Sequence, residues 1–187
     1  MADIQISFDI ETLHTRADGV ILSIAAAARV NGSLEVFYSH CGLESQHNRA
    51  FSQDTLNWWY KQPELWAKTR ELCQEAEPLA NVLRDLSRWY SGLGEDKDRL
   101  YPWGNGANFD LAFLEHAFDE QGVKCPWAYW TGRDLRTLEQ IAKDLDVFES
   151  VERVGTHHDA RDDAITQLLR IEKCLEAIHG CRTPATV

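Results

Sequence analysis

The chain of 187 residues is short of positive charge, of paired cysteines and of long apolar runs. Each shortage removes a class of function. Lysine and arginine number 19 against 30 acids, a net charge of −11. A protein that gripped nucleic acid by phosphate neutralisation alone would need the opposite balance. An acidic protein can still hold a polyanion when bound cations first neutralise its acidic site. The acidity therefore argues against a passive binding module and is compatible with a metal-dependent enzyme. Cys41, Cys73, Cys125, Cys174 and Cys181 are odd in number and widely spaced, and no two form C-x-x-C. They suit reduced thiols in a cytosolic protein and argue against a disulfide framework or a zinc knuckle. VILSIAAAARV reaches Arg29 too soon to span a bilayer, so no membrane association is expected. The start of the chain reads as a strand and not as a signal peptide, and a cytoplasmic location is expected.

With 44% hydrophobic and 26% charged residues, the chain is expected to form a single domain over 1–187. Its core should lie at about 4–178, with a flexible tail over 180–187. No repeat, low-complexity segment or linker interrupts it. Alternation in IQISFDIET predicts a strand. VILSIAAAARV, the Asn31-Gly32 turn and SLEVFYSH predict a hairpin, the alanines reading as closely packed strand residues. Helices are predicted in DTLNWWYKQ after the caps Ser52 and Asp54, in PELWAKTREL from Pro63, and in LANVLRDLSRWY after Pro78. RLYPWGNG reads as a strand, NFDLAFLEHAFDEQG as a helix ended by Gly122, and PWAYW as another strand. DLRTLEQIAKDL and DARDDAITQLLRIEKCLEAIHG read as the last two helices. The order implies an α/β fold with a mixed sheet, three antiparallel N-terminal strands and flanking helices.

Asp9 and Glu11 stand two apart on the first strand, on one face, with Ile6, Phe8 and Ile10 on the other. A solvated strand face and a divalent cation are the two ways to accommodate that pair, because unpaired buried charges cost several kcal/mol. Asp110 follows GNGANF at a helix start, where an acid also suits the helix dipole. Asp159 can cap the last helix, with Asp162 supporting the cap. His158 and Asp163 are five apart, about 140° on an ideal helix, so they share a site only if His158 lies on the loop entering that helix. Each of these residues has a structural explanation when taken alone. Their order carries the inference.

Asp-x-Glu on a first strand, Asp after a Gly-rich strand end and His-x4-Asp at a last helix together resemble the DEDDh 3′–5′ exonucleases, which have a ribonuclease H-like fold. Asp9-Ile10-Glu11-Thr12, Trp58-Trp59, Gly106 to Asp110, Arg133-Asp134-Leu135-Arg136-Thr137 and His158 to Asp163 further resemble the phage DexA-type exodeoxyribonuclease family, whose relatives include RNase AS. His157 to Asp162 fits His-x4-Asp too. The register of His158 and Asp163 is preferred because Ala164 follows Asp163, as is common in the family.

The resemblance implies a metal-dependent 3′–5′ exonuclease on single-stranded nucleic acid, with DNA favoured and RNA open, releasing nucleoside 5′-monophosphates. An exoribonuclease acting on RNA 3′ ends or short oligonucleotides is an alternative, as is an inert nucleic-acid-binding relative. Asp9, Glu11, Asp110 and Asp163 would hold two Mg²⁺ or Mn²⁺ ions, the metals that hard oxygen ligands favour. His158 would be the general base. Thr12, Leu13 and Phe109 are the candidate contacts to the terminal nucleotide; Leu13 would be a wedge or an ordinary partly buried leucine. Trp58 and Trp59 cannot face the same way. One belongs to the core and the other, taken as Trp59, offers a stacking surface. Arg133 and Arg136 bind phosphate or form salt bridges. A homodimer is expected from the RNase AS-like relatives.

Overall fold

Asn31 and Gly32 both take positive φ, 51° and 84°, as a type I′ hairpin turn requires. They join β2 (Ile21–Val30) to β3 (Ser33–His40), and β1 (Ile4–Thr12) runs antiparallel along the other edge of β2. The computed structural model describes residues 3–106 and 108–181. Ala107 and most of the expected tail, from 182 on, lie outside the described residues. β4 (Leu100–Gly104) pairs parallel with β1, and β5 (Arg133–Asp134) pairs parallel with β4. The sheet is mixed, in the order β3-β2-β1-β4-β5. Around it lie α1 (Gln53–Tyr60), α2 (Pro63–Gln74), α3 (Leu79–Gly92), α4 (Asp110–Glu120), α5 (Leu135–Asp144) and α6 (Ala160–Gly180). The architecture is the α/β arrangement implied by the element order.

The start of α1 follows its chemistry, with Ser52 accepting the Thr55 N–H at 3.1 Å. PWAYW departs from expectation, because residues 126–130 form turns and not a strand. Trp127 is drawn into the core against Phe8, Tyr90 and Phe118. Tyr129 and Trp130 both point outward, so the side chains do not alternate. The last strand is instead the two-residue Arg133–Asp134, too short to show a period.

The two sheet faces are packed differently. One bears the large core: Ile6, Phe8, Ile10, Ile24, Ala26 and Ala28 meet side chains of α3 and α4 such as Leu83, Leu86, Phe113 and Leu114. The other is shallow, with Ala25 and Ala27 packed on Ala160, Ala164, Ile165 and Leu168 of α6. Small residues on both partners allow close backbone approach, so α6 sits low over β1 and β2. Asp9 pairs in register with Ala25, which puts it at the edge of that seat. No helix among the described residues is long and apolar enough to cross a membrane.

Candidate active site

Ser7, Asp9 and Glu11 occupy the β1 face turned toward α6. The Gln167 side chain ties this face to the helix: its amide donates to Asp9 Oδ1 at 2.6 Å, and its oxygen accepts from Ser7 Oγ at 3.4 Å. Regular pairing of β1 with β2 shifts between Glu11 and Thr12, an irregularity of the kind often found beside active sites. The chain leaves β4 through Gly104 and returns at the first residue of α4, Asp110. Asp110 Oδ2 accepts the Asn105 N–H at 2.8 Å. A Cβ on Gly104 would stand 3.2 Å from that same carboxylate oxygen, so glycine gives the acid its room.

The third segment is a loop fastened to the first turns of α6. The N–H groups of Val154, Thr156 and His158 donate to Thr166 Oγ1, Asp162 Oδ2 and Asp163 Oδ2 at 3.1, 2.7 and 2.9 Å. Asp159 caps the helix, accepting from Arg161 and Asp162 N–H. Asp162 fastens the loop at Thr156 and does not support that cap from its own side chain. His158 takes φ +63°, rare for a non-glycine residue. The loop position lets its ring face the same place as Asp163 despite the five-residue spacing. Its ring stands edge-on to Trp58, centroids 4.7 Å apart. His157 is exposed, also lines the cleft, and meets the His158 ring edge-on.

These segments line one cleft of about 570 Å³. Glu11, His158 and Asp163 each offer a ligand atom, all within 4.8 Å of one another. Asp9 and Asp110 adjoin them in the same cleft. Burial, then Asp110, Glu11 and Asp163, raise the Asp9 pKa well above the ordinary carboxylate range. Burial, then Asp163 and Asp110, do the same for Glu11. Burial pushes Asp110 up to about 6, against the opposing pull of backbone N–H donors and of Arg136. Burial lowers the His158 pKa, helped by His157 and Arg153 and opposed by Asp163. Crowded acids that resist ionising are what a multivalent cation relieves.

Among the contact residues expected from sequence, Thr12, Phe109 and Arg136 line the cleft. Leu13 does not: it is buried with Val20, Leu22, Trp59 and Cys73. Trp59 reaches the cleft wall but is 1% exposed, its Nε1 donating to Thr12 O at 3.0 Å. Trp58 is the more open member of the pair and the one against His158. Arg133 lies outside the cleft. Its guanidinium binds the carbonyls of Trp130, Thr131 and Gly132 and stacks on Tyr101, 4.6 Å from the ring centroid. Helical spacing does not apply to Arg133 and Arg136, because Arg133 is on β5 and Arg136 on α5.

Gln167, Arg153 and Arg170 also line the cleft and were not anticipated. Gln167 had a legible signal, being four residues after Asp163 and so on the same helix face. Arg170 is held by Glu139, Nε to Oε1 2.7 Å. Arg153 belongs to an irregular segment without periodicity.

The family model of the Rv2179c-like 3′–5′ exoribonuclease domain matches residues 4–175. The chain belongs to this family. Its domain is thus a 3′–5′ exonuclease domain. The nuclease domain of 3′hExo, a DEDDh family member bound to rAMP, aligns with a TM-score of 0.64 at 15% identity, over 100% of this chain and 97% of that one. Exonuclease I of E. coli, in complex with a 5cy-dT13 oligonucleotide, gives 0.64 at 15%, over 98% and 42%. Cell-death related nuclease 4 (CRN-4) gives 0.54 at 16%, over 97% and 65%. At these identities the likeness is one of fold, and the fold is ribonuclease H-like. The chain spans less than two thirds of the last two proteins. No curated protein sequence matches it.

DEDDh exonucleases use divalent metal ions, and the Rv2179c-like cleft fits them. Its donors are carboxylate oxygens and one imidazole, crowded closely enough to share a cation. The buried Asn105 Oδ1, in the same cleft, has no hydrogen-bond partner among the described residues.

Proposed function

We propose that the cleft hydrolyses single-stranded nucleic acid from its 3′ end and releases nucleoside 5′-monophosphates. One observation carries this reading: acids from three distant segments meet an imidazole whose pKa is held low. In the proposal, Asp9, Glu11, Asp110 and Asp163 hold two Mg²⁺ or Mn²⁺ ions. Such ions, when bound, acidify an attacking water and neutralise charge on the phosphate and leaving oxygen. Every other role belongs to the chain itself. Gln167 orients Asp9 through its amide. A neutral His158 ring nitrogen takes the water's proton, and the edge-on Trp58 and the backbone bond to Asp163 hold that ring in place. Arg136, exposed at the cleft and without an ion-pair partner among the described residues, meets the substrate phosphates. Phe109 and Trp58 supply ring surface to the terminal bases.

The family's description as an exoribonuclease supports RNA as the substrate. The expectation of DNA drew on the Trp-Trp and Arg-Asp-x-Arg-Thr segments, of which Trp58 and Arg136 face the cleft but neither distinguishes one sugar from the other. We take RNA first and DNA second, in a cytoplasmic enzyme that forms a homodimer. Matched RNA and DNA strands labelled at the 5′ end, with Mg²⁺ or EDTA, test the reading. A ladder shortening from the 3′ end, only with metal and lost in Asp163→Ala, is the expected result. Internal cleavage, or digestion that persists in EDTA, overturns it.

A further inference from the structure

Asp163 is already partnered by a cation from its own chain. Its Oδ2 accepts the His158 N–H at 2.9 Å, and its Oδ1 forms an ion pair with Arg153 Nη1. None of Asp9, Glu11 and Asp110 makes an ion pair among the described residues, whereas Asp163 does. The Arg153 side chain is 40% exposed and the Asp163 side chain 11%, so the guanidinium approaches from the open side of the cleft. The neighbouring loop is fixed to α6 at Val154, Thr156 and His158. Gly155 allows the close passage, since a Cβ there would overlap the Asp162 carboxylate. The backbone thus delivers Arg153 beside Asp163, with its long side chain partly exposed at the cleft.

We infer that Arg153 and a divalent cation are alternative partners of Asp163, so that Arg153 is a positioning residue that holds the acid cluster together and must yield its place for metal to bind. The inference rests on the proposal that these acids bind divalent metal. Asp163, Glu11 and His158 present their ligand atoms within 4.8 Å of one another. A guanidinium on Oδ1 brings positive charge to the edge of that small space, and a second cation there is repelled by it at short range. Removing the arginine should therefore strengthen metal binding while weakening the metal-free fold. A merely structural arginine predicts loss of both.

The test is Mn²⁺ binding followed by calorimetry or electron paramagnetic resonance, without nucleic acid, on the wild type, Arg153→Gln and Arg153→Lys. Arg153→Gln should bind Mn²⁺ more tightly, on the order of tenfold, the scale on which groups adjoining metal ligands act. Arg153→Lys, which keeps the charge, should stay near the wild type. In EDTA, Arg153→Gln should melt below the wild type, and Mn²⁺ should raise its melting temperature by the larger increment. Arg153→Gln binding Mn²⁺ as weakly as the wild type, or more weakly, overturns the inference while leaving the metal site intact. Failure of the underlying proposal would look different: the wild type would bind no Mn²⁺, and Asp163→Asn would change nothing.

Discussion

Asp110→Asn should stabilise the metal-free protein while abolishing its activity. Asp110 is 2% exposed and its carboxyl is pushed up to about 6, against about 3.9 for an ordinary aspartate. The gap is about a hundredfold in proton affinity, or about 3 kcal/mol opposing the ionised form in the fold. The sign follows from the direction of the shift. A carboxyl raised on folding stabilises fully below about pH 3.9, and that contribution is lost as pH rises through about 6. Asparagine is neutral throughout, and its Oδ1 can still accept the Asn105 N–H that Asp110 now accepts at 2.8 Å. At pH 4 the two proteins should melt alike. At pH 8 in EDTA the variant should melt higher by about 6–12 °C, taking about 2–4 °C per kcal/mol for a domain of this size. Excess Mg²⁺ should narrow or reverse the order, since saturation at a hundred times Kd contributes about 2.7 kcal/mol to whichever protein binds. Calorimetric scans at the two pH values, with and without Mg²⁺, measure all four quantities. If Asp110→Asn melted at or below the wild type at pH 8 in EDTA, burial would not be the cost placed on this carboxyl.

Two further predictions concern the base and the frame. Because the His158 pKa is lowered, chiefly by burial, the acid limb of the kcat profile should fall below the ordinary histidine value of about 6.5. His158→Ala should remove that limb with about 100-fold or more of the rate, while His157→Ala should keep most of the rate and the limb, the limb moving upward because His157 helps hold the His158 pKa low. Arg49→Ala should destabilise by about 3 kcal/mol and leave kcat of the folded fraction unchanged, as denaturant melts and active-fraction rates would show. Arg49 is buried, ion-paired with Glu120 and bonded to the carbonyls of Gly19 and Ala17 at 2.7 and 2.8 Å, away from the cleft.

What could be read from the sequence was whatever repeats or caps. β1 to β3 were legible because alternation and an Asn-Gly turn are local signals, and Asp159 because a helix cap is a local bond. Asp9 and Glu11 shared a face by the same period. PWAYW misled because two adjacent aromatics, Tyr129 and Trp130, project outward while Trp127 turns inward, a tertiary choice no window contains. Leu13, read as a wedge or an ordinary leucine, packs with Trp59 in one apolar cluster; both tryptophans line the cleft, and Trp58 is the more open of the two. Arg153 was invisible. Its partner is ten residues on, across a loop with no period, and only folded geometry couples them. Asp162 gave a cap-like signal, but its carboxylate was claimed by Thr156 N–H from the folded loop.

The alanine run connects the legible part to the part that was not. A strand reading of ILSIAAAARV explains its place in the sheet but not why its residues are so small. Ala25 and Ala27 face Ala160, Ala164 and Leu168, and Ala25 is the cross-strand partner of Asp9. A larger side chain at 25 would fill the seat of α6 and press the helix outward, since packed interiors absorb added methylenes by shifting backbone. α6 carries Asp163 and Gln167, and His158 is tied to it through Asp163. Outward movement would therefore carry three of the cleft's groups away from Asp9 and Glu11 together. A displacement of about 1 Å is enough to cost on the order of a hundredfold in rate. The small residues thus bear on the distance between carboxylates as well as on the sheet they sit in.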